Sequence, residues 1–142
     1  MKVVIELEEA PSAEDVSEIG KRLVAFNETK AGPEKYERVF FAARGVDGKL
    51  VGALLGEIFW DTLHIHIIWT DEQFRSNGIA SELLFKSEKH ALNKGCYLVL
   101  LDTFDFQAPS FYEKRNYQLT GQVDNYPKGH TKYYYKKTLT TE

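Results

Sequence analysis

The amino-acid sequence predicts an α/β (α+β) fold, a mixed and mostly antiparallel sheet with helices on both faces. Two segments, "AEDVSEIGKRLVAFNETKAG" and "GIASELLFKSEKHALN", repeat apolar residues at helical spacing. Several short apolar or alternating runs, bounded by Gly, Asn or Asp, read as strands. The two kinds of signal interleave in the order β-α-β-β-β-α-β-α-β-β.

Residues 3–7 read as a short first strand. Ser12 then stands as an N-cap with Asp15 in the capping-box position, and Val16, Ile19, Leu23 and Phe26 recur on one helical face up to Gly32-Pro33. Residues 38–46, 50–60 and 63–70 form an antiparallel meander, with "VDGK" as the first hairpin turn. A helix over 78–93, bearing Ile79, Leu83 and Leu84 on one face, stops at Gly95 and is followed by the apolar strand "CYLVLLDTF". Pro109 opens a short helix, "PSFYEKR", and Asn116 takes the left-handed position that ends it. Strands over 117–123 and 131–139 flank the loop "DNYPKGH".

With no repeat, charge block or linker, the 142 residues read as a single domain over 1–142. A net charge of -3 argues against a nucleic-acid or anionic-membrane partner, so the mixed aromatic and basic run "HTKYYYKK" is better read as strand alternation. Cys96 is the only cysteine, which leaves no internal disulfide and suits a buried thiol. The N-terminus "MKVVIELEE" turns acidic too early for a signal peptide, and the apolar run over 51–60 is too short to span a bilayer. A cytoplasmic protein, monomer or homodimer, is expected.

The stretch "TDEQFRSNGIA" joins an apolar strand to a helix. N–H groups in a helix's first turn lack partners, and the helix dipole makes that end electropositive. Gly78 allows close approach of a ligand to the main chain, Ala80 keeps the next turn slim, and Arg75 supplies a fixed positive charge. A plain turn with a helix cap explains the same residues. Neither GxxxxGK[ST] nor GxGxxG is present, which removes the common nucleotide-binding motifs.

Arg75-Ser76-Asn77-Gly78-Ile79-Ala80 resembles the Q/R-x-x-G-x-G/A signature of the GNAT superfamily, the acyl-CoA-dependent N-acetyltransferases. "FQAPSFYEKRNY" is similar to that family's second signature, with Asn116 in place of the usual glycine, and the element order matches as well. The run from "LDTFDFQ" to "KYYYKK" resembles a small bacterial subgroup of mostly unassigned substrate.

The resemblance implies splayed strands forming a cleft for acetyl-CoA as cosubstrate. Ile68, Trp69 and Thr70 would meet the pantetheine arm, the main chain of Arg75, Ser76, Asn77, Gly78, Ile79 and Ala80 the pyrophosphate, and Gln107 the far side of the gap. It also implies that Tyr112 is the acid toward the departing sulfur, and that a main-chain N–H near Thr70 holds the oxyanion. Packing beside Phe111 is the bland account of Tyr112.

In histone-modifying members a glutamate precedes the first signature by eleven positions, where this chain has His64. A two- or four-residue turn at "WDTL" pairs Phe59 with His64 and Glu57 with His66, setting Glu57, His64 and His66 on one face. His64 or Glu57, directly or through water, is then the base. The resemblance to the fold alone implies that His66, Trp60, Tyr126 and His130 would rim the acceptor pocket. Three readings follow: an N-acetyltransferase acting without a metal on a small-molecule or peptide amine by direct attack, a non-catalytic acyl-CoA-binding module, and a metal domain built on Glu57, His64 and His66. The first is preferred.

Overall fold

The computed structural model describes residues 1–140. It divides into two compact units, Met1–Glu34 and a second that begins at Lys35.

The first unit is built on helix α1, Ala13–Ala31. Ser12 Oγ accepts the Asp15 N–H at 3.0 Å, as the capping pattern predicts. At the other end Gly32 takes φ 82° and donates its N–H to the Glu28 carbonyl. The expected strand over residues 3–7 does not form, so the order of elements begins with α1. Apolar β-formers give such a segment a preference for extended backbone, but a strand exists only where a ladder partner accepts its main-chain hydrogen bonds.

In the second unit the elements are β1 (Glu37–Arg44), β2 (Leu50–Phe59), β3 (Thr62–Thr70), α2 (Ile79–Asn93), β4 (Leu98–Phe104), α3 (Pro109–Glu113), β5 (Gln118–Asp124) and β6 (Thr131–Thr138). A 3₁₀ turn at Glu72–Phe74, unforeseen from sequence, lies between β3 and α2. The sheet has six strands in the order β1-β2-β3-β4-β6-β5. Among the described residues only the β3–β4 pair is parallel.

The β2–β3 register corrects the sequence expectation. Phe59 pairs with Thr62 and Glu57 with His64, not Phe59 with His64 and Glu57 with His66. The turn closes over Trp60-Asp61 because Trp60 takes φ 50°, the positive value a two-residue hairpin turn needs and a tryptophan rarely advertises. A bulge follows: Gly56 pairs with Ile65 and Leu55 with Ile67, which leaves His66 as the extra residue. Gly56 permits it, since a Cβ there would lie 2.7 Å from the His64 carbonyl oxygen.

The core lies between α2 and the sheet. Leu83, Leu84 and Ala91 of α2 belong to one buried cluster with Leu54, Leu63, Val99 and Tyr135. Each fully buried leucine contributes roughly 1.5–3 kcal/mol relative to exposure. Cys96 is part of the same cluster, and burial pushes its thiol pKa up, as an inert thiol requires. Glu88 is buried but doubly satisfied, accepting from Tyr117 Oη at 2.6 Å and Lys137 Nζ at 2.9 Å. Among the described residues no helix is long and apolar enough to cross a membrane.

Candidate active site

Strands β3 and β4 pair only from Thr62↔Leu98 to Ile65↔Leu101. Beyond that point β3 continues to Thr70 and β4 to Phe104 without bonding to each other. The opening is a cavity of about 620 Å³. Ile68, Trp69 and Thr70 form one wall, Asp102, Thr103 and Phe104 the other, with Arg75 and Ala80 toward α2 and Gln107 and Tyr112 across the gap. Unpaired main chain of two neighbouring strands gives an extended ligand carrying amide groups a row of donors and acceptors to meet.

The α2 end of the cavity suits an anion. Gly78 is the helix N-cap with φ 77°, and no side chain caps the helix there. Ser76 also takes a positive φ, 66°, so the turn has the backbone habit that gathers N–H groups into an anion nest. A Cβ on Gly78 would meet nothing within 4 Å, so within the protein only its positive φ favours glycine there. Arg75 bends back toward β3, its Nε lying 3.5 Å from the Thr70 carbonyl oxygen.

Across the gap, the Gln107 Oε1 accepts from Thr103 Oγ1 at 3.0 Å and from the Phe104 N–H at 2.8 Å, which pins the segment after β4. Tyr112, on α3, packs edge-on against Phe111 at 5.2 Å and Tyr117 at 5.8 Å. Its phenol is pushed up to about 12, first by burial and then by the Asp102 carboxylate. It therefore stays protonated throughout the working pH range.

The cluster expected on one face of the meander is present. The Glu57 Oε1 lies 2.6 Å from His66 Nε2, its Oε2 accepts from Tyr36 Oη at 2.6 Å, and the His64 and His66 rings are 4.5 Å apart. The Tyr36 hydrogen bond, followed by His66, holds the Glu57 carboxyl below the usual carboxylate range. Burial lowers the His64 pKa, with the neighbouring His66 charge adding to it. Among the described residues no three His, Cys, Asp or Glu side chains are grouped to hold a metal ion.

Of the residues singled out from sequence, Ile68, Trp69, Thr70, Arg75, Ala80, Gln107, Tyr112 and His66 line one cavity. Glu57 and His64 contact His66, by a hydrogen bond and a ring contact respectively, and are not in the wall. The Ile79 side chain turns toward Gly52 and a separate shallow groove, so only its main chain is available to the turn. Ser76, Asn77, Gly78, Trp60, Tyr126 and His130 do not line the cavity. Tyr126 and His130 meet it through ring contacts, at 5.6 Å to Phe104 and 5.0 Å to Phe106.

Asp102, Phe106 and Tyr36 are among the contributors not expected from sequence. Asp102 was signalled by a lone charge inside the apolar run "LVLLDTF". Phe106 lies beside Gln107 in the second signature. Tyr36 gave no signal, because its role depends on a partner on another strand.

Comparisons with known proteins agree with this geometry. The family model for the acetyltransferase (GNAT) family matches residues 4–117. Blasticidin-S acetyltransferase of Streptomyces morookaense is 37% identical over 98 residues, 68% of this chain and 72% of that protein. The crystal structure of an acetyltransferase from Bacillus cereus is 34% identical with a TM-score of 0.85, covering 94% of this chain and 98% of the other. A Bacillus anthracis structure solved in complex with acetyl coenzyme A shares the fold at a TM-score of 0.64 and 19% identity, over 81% of this chain and 68% of that one. The chain belongs to the GNAT family and is an acetyl-CoA-dependent N-acetyltransferase.

Proposed function

We propose that the protein transfers the acetyl group of acetyl-CoA to a primary amine of a small molecule, by direct attack of the amine nitrogen on the thioester, in one acetyltransferase domain spanning 1–142. The observation that carries the reading is a single cavity lined by the free main chain of β3, the protonated Tyr112 and the imidazole of His66. The name of the Streptomyces relative supports a small-molecule acceptor over a peptide.

In this reading the pantetheine arm lies along Ile68, Trp69 and Thr70, and the pyrophosphate against the turn from Arg75 to Ala80. The nitrogen attacks the carbonyl carbon, the C–N bond forms, and the oxyanion is held by a main-chain N–H near Thr70. The amine proton passes to the Glu57/His64/His66 group. As the C–S bond breaks, Tyr112 donates a hydrogen bond to the sulfur. A phenol near 12 facing a thiol near 8.5 leaves full transfer uphill by about 3.5 pH units, or about 5 kcal/mol, so the final proton reaches the thiolate from solvent.

Titration calorimetry with acetyl-CoA, together with thiol release over a panel of amines, tests the proposal. Acetyl-CoA binding with amine-dependent release, reduced in Tyr112→Phe, is the expected result. Binding without amine-dependent release, unchanged in Tyr112→Phe, supports instead a non-catalytic module.

A further inference from the structure

We propose that His66 accepts the proton from the acceptor amine, with Glu57 and Tyr36 as the residues that position it. The proposal rests on the acyl-transfer reading of the cavity. Three groups on one sheet face compete for the role, and their surroundings separate them.

Glu57 is a poor base. Both of its oxygens are engaged, one by Tyr36 Oη at 2.6 Å and the other by His66 Nε2 at 2.6 Å, and it does not line the cavity. Those same bonds hold its carboxyl below the ordinary range, Tyr36 contributing most. His64 is directly opposite Glu57 in the ladder, has its ring 4.5 Å from that of His66 and is also absent from the cavity wall. Only His66 is both in the wall that holds Tyr112 and bonded to a carboxylate.

An ionised Glu57 accepts from Nε2–H, which fixes that tautomer and leaves the Nδ1 lone pair free to take a proton. The carboxylate then stabilises the imidazolium that forms, as an orienting acid does for any catalytic imidazole. Tyr36 holds the other Glu57 oxygen, so the carboxylate cannot turn away. The bulge at Gly56 sets His66 as the extra residue of β3, displaced from a regular ladder position. The charged and titratable groups facing this set are Arg38 from β1, Glu57 from β2, His64 from β3 and Asp102 from β4, with Tyr36 just ahead of β1.

The step balances. As the C–N bond forms, the N–H bond of the attacking nitrogen breaks and its proton moves to Nδ1. The C–S bond electrons leave on sulfur, which gains a solvent proton, and the imidazolium returns its proton to solvent.

The test compares wild type with His66→Gln, Glu57→Gln and Tyr36→Phe. His66→Gln should lower kcat/KM for the amine by about 10²-fold or more near neutrality, with the KM for acetyl-CoA little changed, and should remove the ascending limb of the pH profile. Glu57→Gln keeps a hydrogen-bond acceptor but removes the charge, so the limb should move to lower pH. Tyr36→Phe should lower kcat with the limb retained. Nitrogen-15 NMR of the imidazoles should show His66 in the Nε2–H tautomer. The Nδ1–H tautomer, or a His66→Gln profile matching wild type, overturns the assignment alone. Absence of amine-dependent CoA release in wild type overturns the acyl-transfer reading together with it.

Discussion

Gly78→Ala separates a helix cap from an anion cradle when it is set beside Gly95→Ala. The two glycines stand at opposite ends of α2, with φ 77° and φ 90°, and a Cβ on either would meet nothing within 4 Å. The strain of a left-handed alanine is therefore the whole cost within the protein, about 1–2 kcal/mol in each variant. For a domain of this size that lowers Tm by about 2–8 °C. The cost is present with or without ligand, so it cancels from affinity. If the proposed seat is right, what remains at Gly78 is a methyl group standing where the pyrophosphate approaches the N–H groups. Losing one charge-assisted hydrogen bond of about 1.5–3 kcal/mol weakens acetyl-CoA binding by roughly tenfold to a hundredfold. Thermal unfolding and titration calorimetry on both variants read the two effects separately. Equal losses of Tm with affinity reduced only in Gly78→Ala is the expected pattern. Equal affinity in both would refute the cradle and leave Gly78 as a cap.

Tyr112→Phe should lower kcat by about 10²-fold with the KM for acetyl-CoA little changed; because the phenol is pushed up to about 12, no descending limb from Tyr112 should appear below about pH 10 in a rate profile. Gly56→Ala places a Cβ 2.7 Å from the His64 carbonyl oxygen, which is main chain and cannot turn aside, so a urea midpoint should report a loss of about 1–3 kcal/mol. The Glu37 carboxyl, held below its ordinary pKa first by the His90 hydrogen bond, contributes stability above the unfolded carboxylate pKa and loses it as pH falls through the lower folded value. Urea midpoints of Glu37→Gln and wild type should therefore converge as the pH falls from about 6 to 3. Cys96 should react with a thiol reagent only as the protein unfolds, a rate that mass spectrometry can follow.

Elements carried by local signals were readable in advance. Ser12 and Asp15 announced the start of α1, Gly32 and Gly95 marked helix ends, and Asn116 took its left-handed φ of 70° after α3. The segment over residues 3–7 failed because its signal was only a preference for extended backbone, and a strand needs a neighbour that a single segment cannot specify. The β2–β3 register failed for a related reason. Whether "WDTL" turns over two residues or four depends on Trp60 adopting φ 50°, which no turn-forming residue type advertises.

The same division runs through the site. In the proposed reading its cofactor half depends on main chain: a strand end, a turn with positive φ at Ser76 and Gly78, and the start of α2, all consecutive in the chain and hence visible as a motif. The proposed proton-handling half depends on side chains from separate strands, so a displacement of one register position changes which of them meet. Alternation put Glu57, His64 and His66 on one face under the expected register, and the observed register keeps them there because it differs by two residues, the strand's own period. The bulge at Gly56 adds what alternation leaves open: His66 is its extra residue, and of the three it alone lines the cavity. If His66 is the base, a glycine in the middle of an apolar strand carries information about the acceptor side, and Gly56→Ala should disturb the pH profile of kcat/KM as well as stability.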